Sequence, residues 1–161
     1  MKALVAVLVV LTVSTSFAAK PDKSDKSEDE KAVAQAMVDK LIAAMNANDA
    51  TAFMSGWAED GVLIDPFAAR GNGKADAGKI IAGDLATLLQ GTKSKATLER
   101  VRRLGNDAIF ADADVIHENA LLLNGSRGTV GTHWALAMAK KGKTWQVTDV
   151  RIYMFAPPPP K

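Results

Sequence analysis

The sequence predicts an α+β domain in which helices come first, one early strand follows, and a meander of long strands completes a curved antiparallel sheet. Three observations carry that prediction. Apolar residues recur at helical spacing in the first half of the chain, the pattern changes to extended segments from Lys95 onward, and Gly- and Asn-containing turns separate those segments. The chain has 161 residues and is 48% hydrophobic, enough for one domain with its own core.

The first helix is expected over about residues 28–47. Ser27 and Glu30 have the spacing of a capping box, and Val33, Met37, Leu41, Ala44 and Met45 form its apolar stripe. Asn46 and Asn48 suit its end, and Asp49 suits the cap of a short second helix carrying Phe53 and Trp57. A tight Glu59-Asp60-Gly61 turn then leads into a strand, Val62-Leu63-Ile64, which runs into Asp65-Pro66-Phe67. A third helix between Lys74 and Gln90 buries Ile81, Leu85 and Leu88, and Gly91 takes the left-handed position after it. The extended segments follow at about 95–104, 107–118, 128–141 and 143–155.

The ends read differently. Met1-Lys2 gives a positive start, Ala3 to Val13 is apolar, and Ser14 to Ala19 is small and polar apart from Phe17, the order of a secretory signal peptide. Cleavage is expected after Ala18, with Ala19 second, and the mature protein is expected to be periplasmic or secreted, with no stable membrane insertion. The domain plan is a signal peptide over 1–19, a charged flexible arm over 20–29, one domain over 30–155, and a proline-rich tail over 156–161 that cannot join a sheet. There is no cysteine, so disulfide and thiolate chemistry are excluded. The formal charge of +2 gives no bulk electrostatic case for nucleic acid.

From Asn48 the chain reads "NDATAFMSGWAEDGVLIDPF", then "RG", a helix, and strands ending in "KGKTWQVTDVRIYMF". That order resembles the SnoaL-like proteins of the nuclear transport factor 2-like superfamily, and within them the SgcJ/EcaC type, over residues 30–155. The resemblance implies a cystatin-like cone, a strongly bent sheet around three helices with a cavity at one end, and dimers formed through the sheet. The superfamily includes ketosteroid isomerases, polyketide cyclases, dehydratases and members with no activity.

The candidate site residues follow from that frame. Asp65 ends an apolar strand and precedes Pro66, so it can be a desolvated base at a pocket mouth; equally, Asp in that place caps the turn with a backbone hydrogen bond. Phe53, Trp57, Phe67 and Tyr153 are expected to line an apolar pocket whose polar groups are Asp65, His133 and Arg151. His133 or Tyr153 would donate to a developing enolate oxygen. A connection pivoting on Gly125 would set His117 across from His133, and a one-step shift would separate them. Two histidines and a carboxylate could hold a metal, but no short ligand spacing supports one, and RGNGK lacks the spacing of a phosphate loop, so no cofactor is expected. In the last strand Trp145, Val147, Asp149, Arg151 and Tyr153 share one parity, and Gln146, Thr148, Val150, Ile152 and Met154 the other. Both are partly apolar, which calls for helices on one face and a second copy on the other; a bulge would swap the two. The partners expected are a small apolar molecule and a homodimer mate. The alternative is a non-catalytic interaction module of the cell envelope.

Overall fold

The computed structural model describes residues 23–154, with side chains from residue 29 onward. The predicted signal peptide and proline-rich tail lie outside the described residues. The elements run α1 (Lys23–Asn46), α2 (Ala50–Met54), β1 (Trp57–Ile64), β2 (Arg70–Asn72), α3 (Lys74–Ala86), β3 (Lys93–Arg103), β4 (Ala108–Leu121), β5 (Arg127–Lys141) and β6 (Thr144–Tyr153). The six strands form one sheet in the order β2-β1-β6-β5-β4-β3, curved over the three helices.

Helix α1 begins at Lys23, earlier than the capping box suggests, so most of the expected charged arm is helical. Its buried stripe is Ala34, Val38, Leu41, Ala44 and Met45, with Val33 and Met37 half-buried at the flank. Asn46 clamps the end of α1 to the start of β3: its Nδ2 donates to Ser94 O at 2.9 Å and its Oδ1 accepts from Ser94 N at 2.7 Å. Asp49 caps α2 as expected, with its Oδ1 accepting from Ala52 N at 2.8 Å.

Trp57 lies in β1 rather than on the second helix, and Glu59-Asp60-Gly61 is part of that strand rather than a turn. Trp57 pairs with Val147 and Val62 with Asp149, so the residues between them bulge out of the ladder. β1 runs parallel to β6, which makes the sheet mixed rather than wholly antiparallel. β2 is a short edge strand, and its Gly71 lies against α3. A Cβ there would come within 2.5 Å of the backbone of Ala77, so only glycine lets the two elements touch.

The core sits between the helices and the inner face of the sheet. Ile109, Ala111, Ala113, Val115 and His117 of β4 point inward, as do Thr132, Trp134, Leu136 and Met138 of β5. In β6 the register steps at Thr148, because Met138 pairs with Val147 and Ala137 with Asp149. Before the step the inward residue is Val147, and after it the inward residues are Val150 and Ile152. The swap that a bulge would cause is therefore present.

Candidate functional site

An apolar cavity of about 190 Å³ lies where α3, the Pro66–Phe67 turn and the ends of β4, β5 and β6 meet. Its wall is built from Ile81, Leu88, Ala120, Val130, Trp134 and Ile152, and its polar side chains are Asp84, His117 and Thr132. The chain leaves α3 through a turn in which Leu89 N donates to Asp84 O at 2.8 Å, and Gly91 takes a φ of +71°. Leu121 N donates to Leu88 O at 2.9 Å, which holds the end of β4 against that turn. Arg127 reinforces the corner by donating to Gln90 O at 2.7 Å and Asn119 O at 2.8 Å.

His117 and Thr132 belong to one buried chain of hydrogen bonds. Trp134 Nε1 donates to Thr132 Oγ1 at 3.1 Å, His117 Nε2 lies 3.1 Å from Thr132 Oγ1, and His117 Nδ1 lies 2.9 Å from Ser94 Oγ. The Asn46 clamp fixes Ser94, so the imidazole is held from α1 through β3. Burial pushes the His117 pKa down to about 4, so the ring is neutral at neutral pH. Both ring nitrogens are already engaged.

Asp84 is different. It projects from the last turn of α3 among Ile81, Leu88 and Leu89. Burial first, and the charge of Asp65 second, push its pKa up from 3.8 to about 6. A carboxyl group in that range exchanges a proton near neutral pH, and it is the cavity's titratable acid. The sequence reading did not name it. The signal was a carboxylate three residues after Ile81 and four before Leu88, on the apolar stripe of its own helix.

The predicted residues divide among four places. Phe67 and His117 line the cavity. Phe53 and Trp57 are buried behind it, with Phe53 6.1 Å from the Trp57 ring and 6.2 Å from that of Trp134. Asp65 is buried beside the cavity and serves the turn: its Oδ1 accepts from Phe67 N at 2.9 Å and Ala69 N at 2.7 Å. That is the capping arrangement, and it places Asp65 where its charge reaches Asp84.

His133, Tyr153 and Arg151 lie on the outer face of the sheet, away from the cavity. His117 pairs with Val130 and His133 with Asp114, so the two histidines point to opposite faces; a bulge between His117 and Ala120 breaks the simple pivot about Gly125. The step at Thr148 sends Arg151 and Tyr153 outward in the same way. There His133 Nδ1 meets Asp114 at 2.6 Å, its ring lies 5.1 Å from that of Tyr153, and Arg151 donates to Asp149 at 3.1 Å. Among the described residues no three His, Cys, Asp or Glu side chains are grouped to hold a metal ion. No helix among them is long and apolar enough to cross a membrane.

A bent six-stranded sheet over three helices, with a cavity at one end, defines a nuclear transport factor 2-like (cystatin-like) α+β fold. No family model matches the sequence, and no curated protein matches it either. The likeness lies in the fold. An uncharacterised protein with a cystatin-like fold from Caulobacter vibrioides superposes with a TM-score of 0.72 at 16% identity, over 80% of this chain and 92% of that one. A ketosteroid isomerase-like protein from Erwinia carotovora atroseptica gives 0.68 at 20% identity, over 80% of this chain and 98% of that one. A type 2 hexachlorocyclohexane dehydrochlorinase, LinA, gives 0.70 at 16% identity, over 84% of this chain and 99% of that one.

Proposed function

We propose that the protein binds a small, mostly apolar molecule in this cavity, with Asp84 meeting the ligand's polar group. The observation that carries the reading is a carboxyl group with a pKa near 6 in a mostly apolar cavity that opens to solvent. The protein is proposed to do this outside the cytoplasm, in the periplasm or after secretion, on the strength of the leader-like residues 1–19. It is proposed to work as a homodimer through the outer face of the sheet. There Ala135, Ala137 and Ala139 make a low strip along β5, flanked by Asp112, His133 and Asp149.

An isomerase- or cyclase-like reaction on an apolar carbonyl compound is the second reading. Asp84 replaces Asp65 as its base. Removing a proton beside a carbonyl also needs a donor for the developing oxyanion. Thr132 and His117 are bonded to each other, and the Trp134 N–H is bonded to Thr132, so a carbonyl oxygen would have to displace one of them. That committed network favours retention of a ligand over turnover. The interaction-module reading draws on the same alanine strip and is compatible with a filled or an empty cavity.

Titration with benzyl alcohol, followed by NMR on the Trp134 indole and the methyl groups of Ile81 and Leu88, tests the binding reading. Saturable shifts at those groups are expected, as is their loss in Ala120→Leu, which extends into the cavity. Shifts scattered over the outer face, with none at Trp134, would remove the cavity as the binding site.

A further inference from the structure

We propose that the cavity's ligand is a compact apolar amine, bound as its ammonium ion with the Asp84 carboxylate as counter-charge. The inference rests on the binding reading and adds the charge and size of what is bound. Charge complementarity is the first argument. The described residues lining the cavity include no Lys and no Arg, while Asp84 enters it directly and Asp65 lies close enough to act on Asp84. His117 is neutral at neutral pH and makes no positive contribution. Among the described residues these three groups, from α3, the turn after β1, and β4, are the titratable groups that bear on the site.

The second argument is the helix. The last turn of the 13-residue α3 faces the cavity, and the carbonyl end of a helix carries partial negative charge that favours a cation. The third is the state of the carboxylate. Among the described residues no hydrogen bond reaches the Asp84 side chain, whereas Asp65 has two backbone donors. A carboxylate in an apolar wall is short of donors, and an ammonium group supplies up to three. The same surroundings repel a ligand carboxylate or phosphate, so fatty acids and phosphorylated metabolites are excluded. Size sets the rest: a dry cavity of about 150 Å³ accepts benzene, so 190 Å³ suits a ring bearing one short polar arm.

The test uses three molecules of one shape, benzylamine, benzyl alcohol and benzoate, titrated by NMR into the protein at pH 7.5. Benzylamine is expected to bind about tenfold more tightly than the alcohol, the scale of one charge-assisted hydrogen bond, with benzoate weakest. Asp84→Asn should bring the amine to within about twofold of the alcohol, because the amine loses its counter-charge and the alcohol loses no more than one hydrogen bond. A measurement on the unaltered protein stands beside the variant. Amine affinity should fall as pH drops through about 6, where Asp84 takes up its proton, and fall more steeply than alcohol affinity. Equal affinity of amine and alcohol at pH 7.5, or a preference for benzoate, overturns the amine and leaves the cavity reading standing. Absence of any shift at Trp134 with all three overturns both.

Discussion

Replacing Asp84 by Asn should stabilise the protein at neutral pH, the reverse of what a loss of charge at a folded surface usually does. The carboxyl is held at about 6 in the folded chain against 3.8 when free, so the folded state binds that proton more tightly than the unfolded state. Linkage then fixes the sign. Above about 6 both states are ionised and the folded chain carries the full cost of a desolvated carboxylate. Between about 6 and 3.8 the folded side chain is protonated while the unfolded one is not, and the cost is progressively relieved. Below 3.8 both are neutral and the cost is gone.

At full burial that displacement corresponds to about 3 kcal/mol. Asp84 is partly reached by solvent, and screening reduces the figure to about 1–2 kcal/mol. The position of Asp84 in the last turn of α3 acts in the same direction. Urea denaturation of the wild type and Asp84→Asn, at pH values from 4 to 8, measures the difference directly. The variant should be more stable by about 1–2 kcal/mol at pH 7.5, and the two should converge towards pH 4. The comparison must be made pair by pair, because His117 works oppositely. Its pKa is lowered from 6.5 to about 4, so its contribution is present above 6.5 and is lost as pH falls towards 4. A variant that is less stable at pH 7.5, or a difference that does not change with pH, would refute the reasoning.

Three further outcomes are expected. His117→Ala leaves Ser94 and Thr132 without their shared partner and opens space in the core, so a loss of about 2–4 kcal/mol is expected in chemical denaturation. The fall in stability between pH 6.5 and 4 should become shallower in that variant. Gly71→Ala drives a methyl group into the backbone of Ala77, and a loss of about 2 kcal/mol or more in thermal unfolding is expected, with Gly83→Ala nearby as a control that meets nothing within 4 Å. Asp65→Asn keeps an oxygen for the Phe67 and Ala69 amides but removes the charge, so an NMR titration should find the Asp84 carboxyl below 6; an unmoved value would show that burial alone sets it.

The helices, the four long strands and the turns between them were legible because each rests on local signals. Helical spacing marks α1 and α3, Asp49 caps α2, and the Gly91, Gly105, Gly125 and Gly142 turns all have positive φ. The candidate site was less legible, and the reason is register. Strand parity assigns a side chain to a face only while the ladder is unbroken. The bulges between His117 and Ala120 and at Thr148 each exchange the faces downstream. Those two steps put His133, Arg151 and Tyr153 outside, and Ile152 and Met154 at the cavity. Asp84 escaped because a charge on an apolar stripe looks like a stripe's edge until the facing strand shows that it is enclosed. Asp65 showed both of its readings in the sequence, and its hydrogen bonds choose the turn.

The parallel pairing of β1 with β6 also bears on how the chain comes together. Leu63 and Val150 are neighbours in the sheet, yet α3 and strands β2 to β5 all lie between them in sequence. Contacts of such long sequence separation close late and slowly, because the intervening loop must be ordered first. The β3–β4–β5–β6 meander can zip up by successive hairpins, but β1 and its edge strand β2 dock only after residue 150 has emerged. A chain lacking β6 has no sheet neighbour for Trp57 or Leu63, so its first aromatic cluster stays open to water until β6 is in place. The sheet is sealed where its first strand meets its last rather than grown outward from one of them.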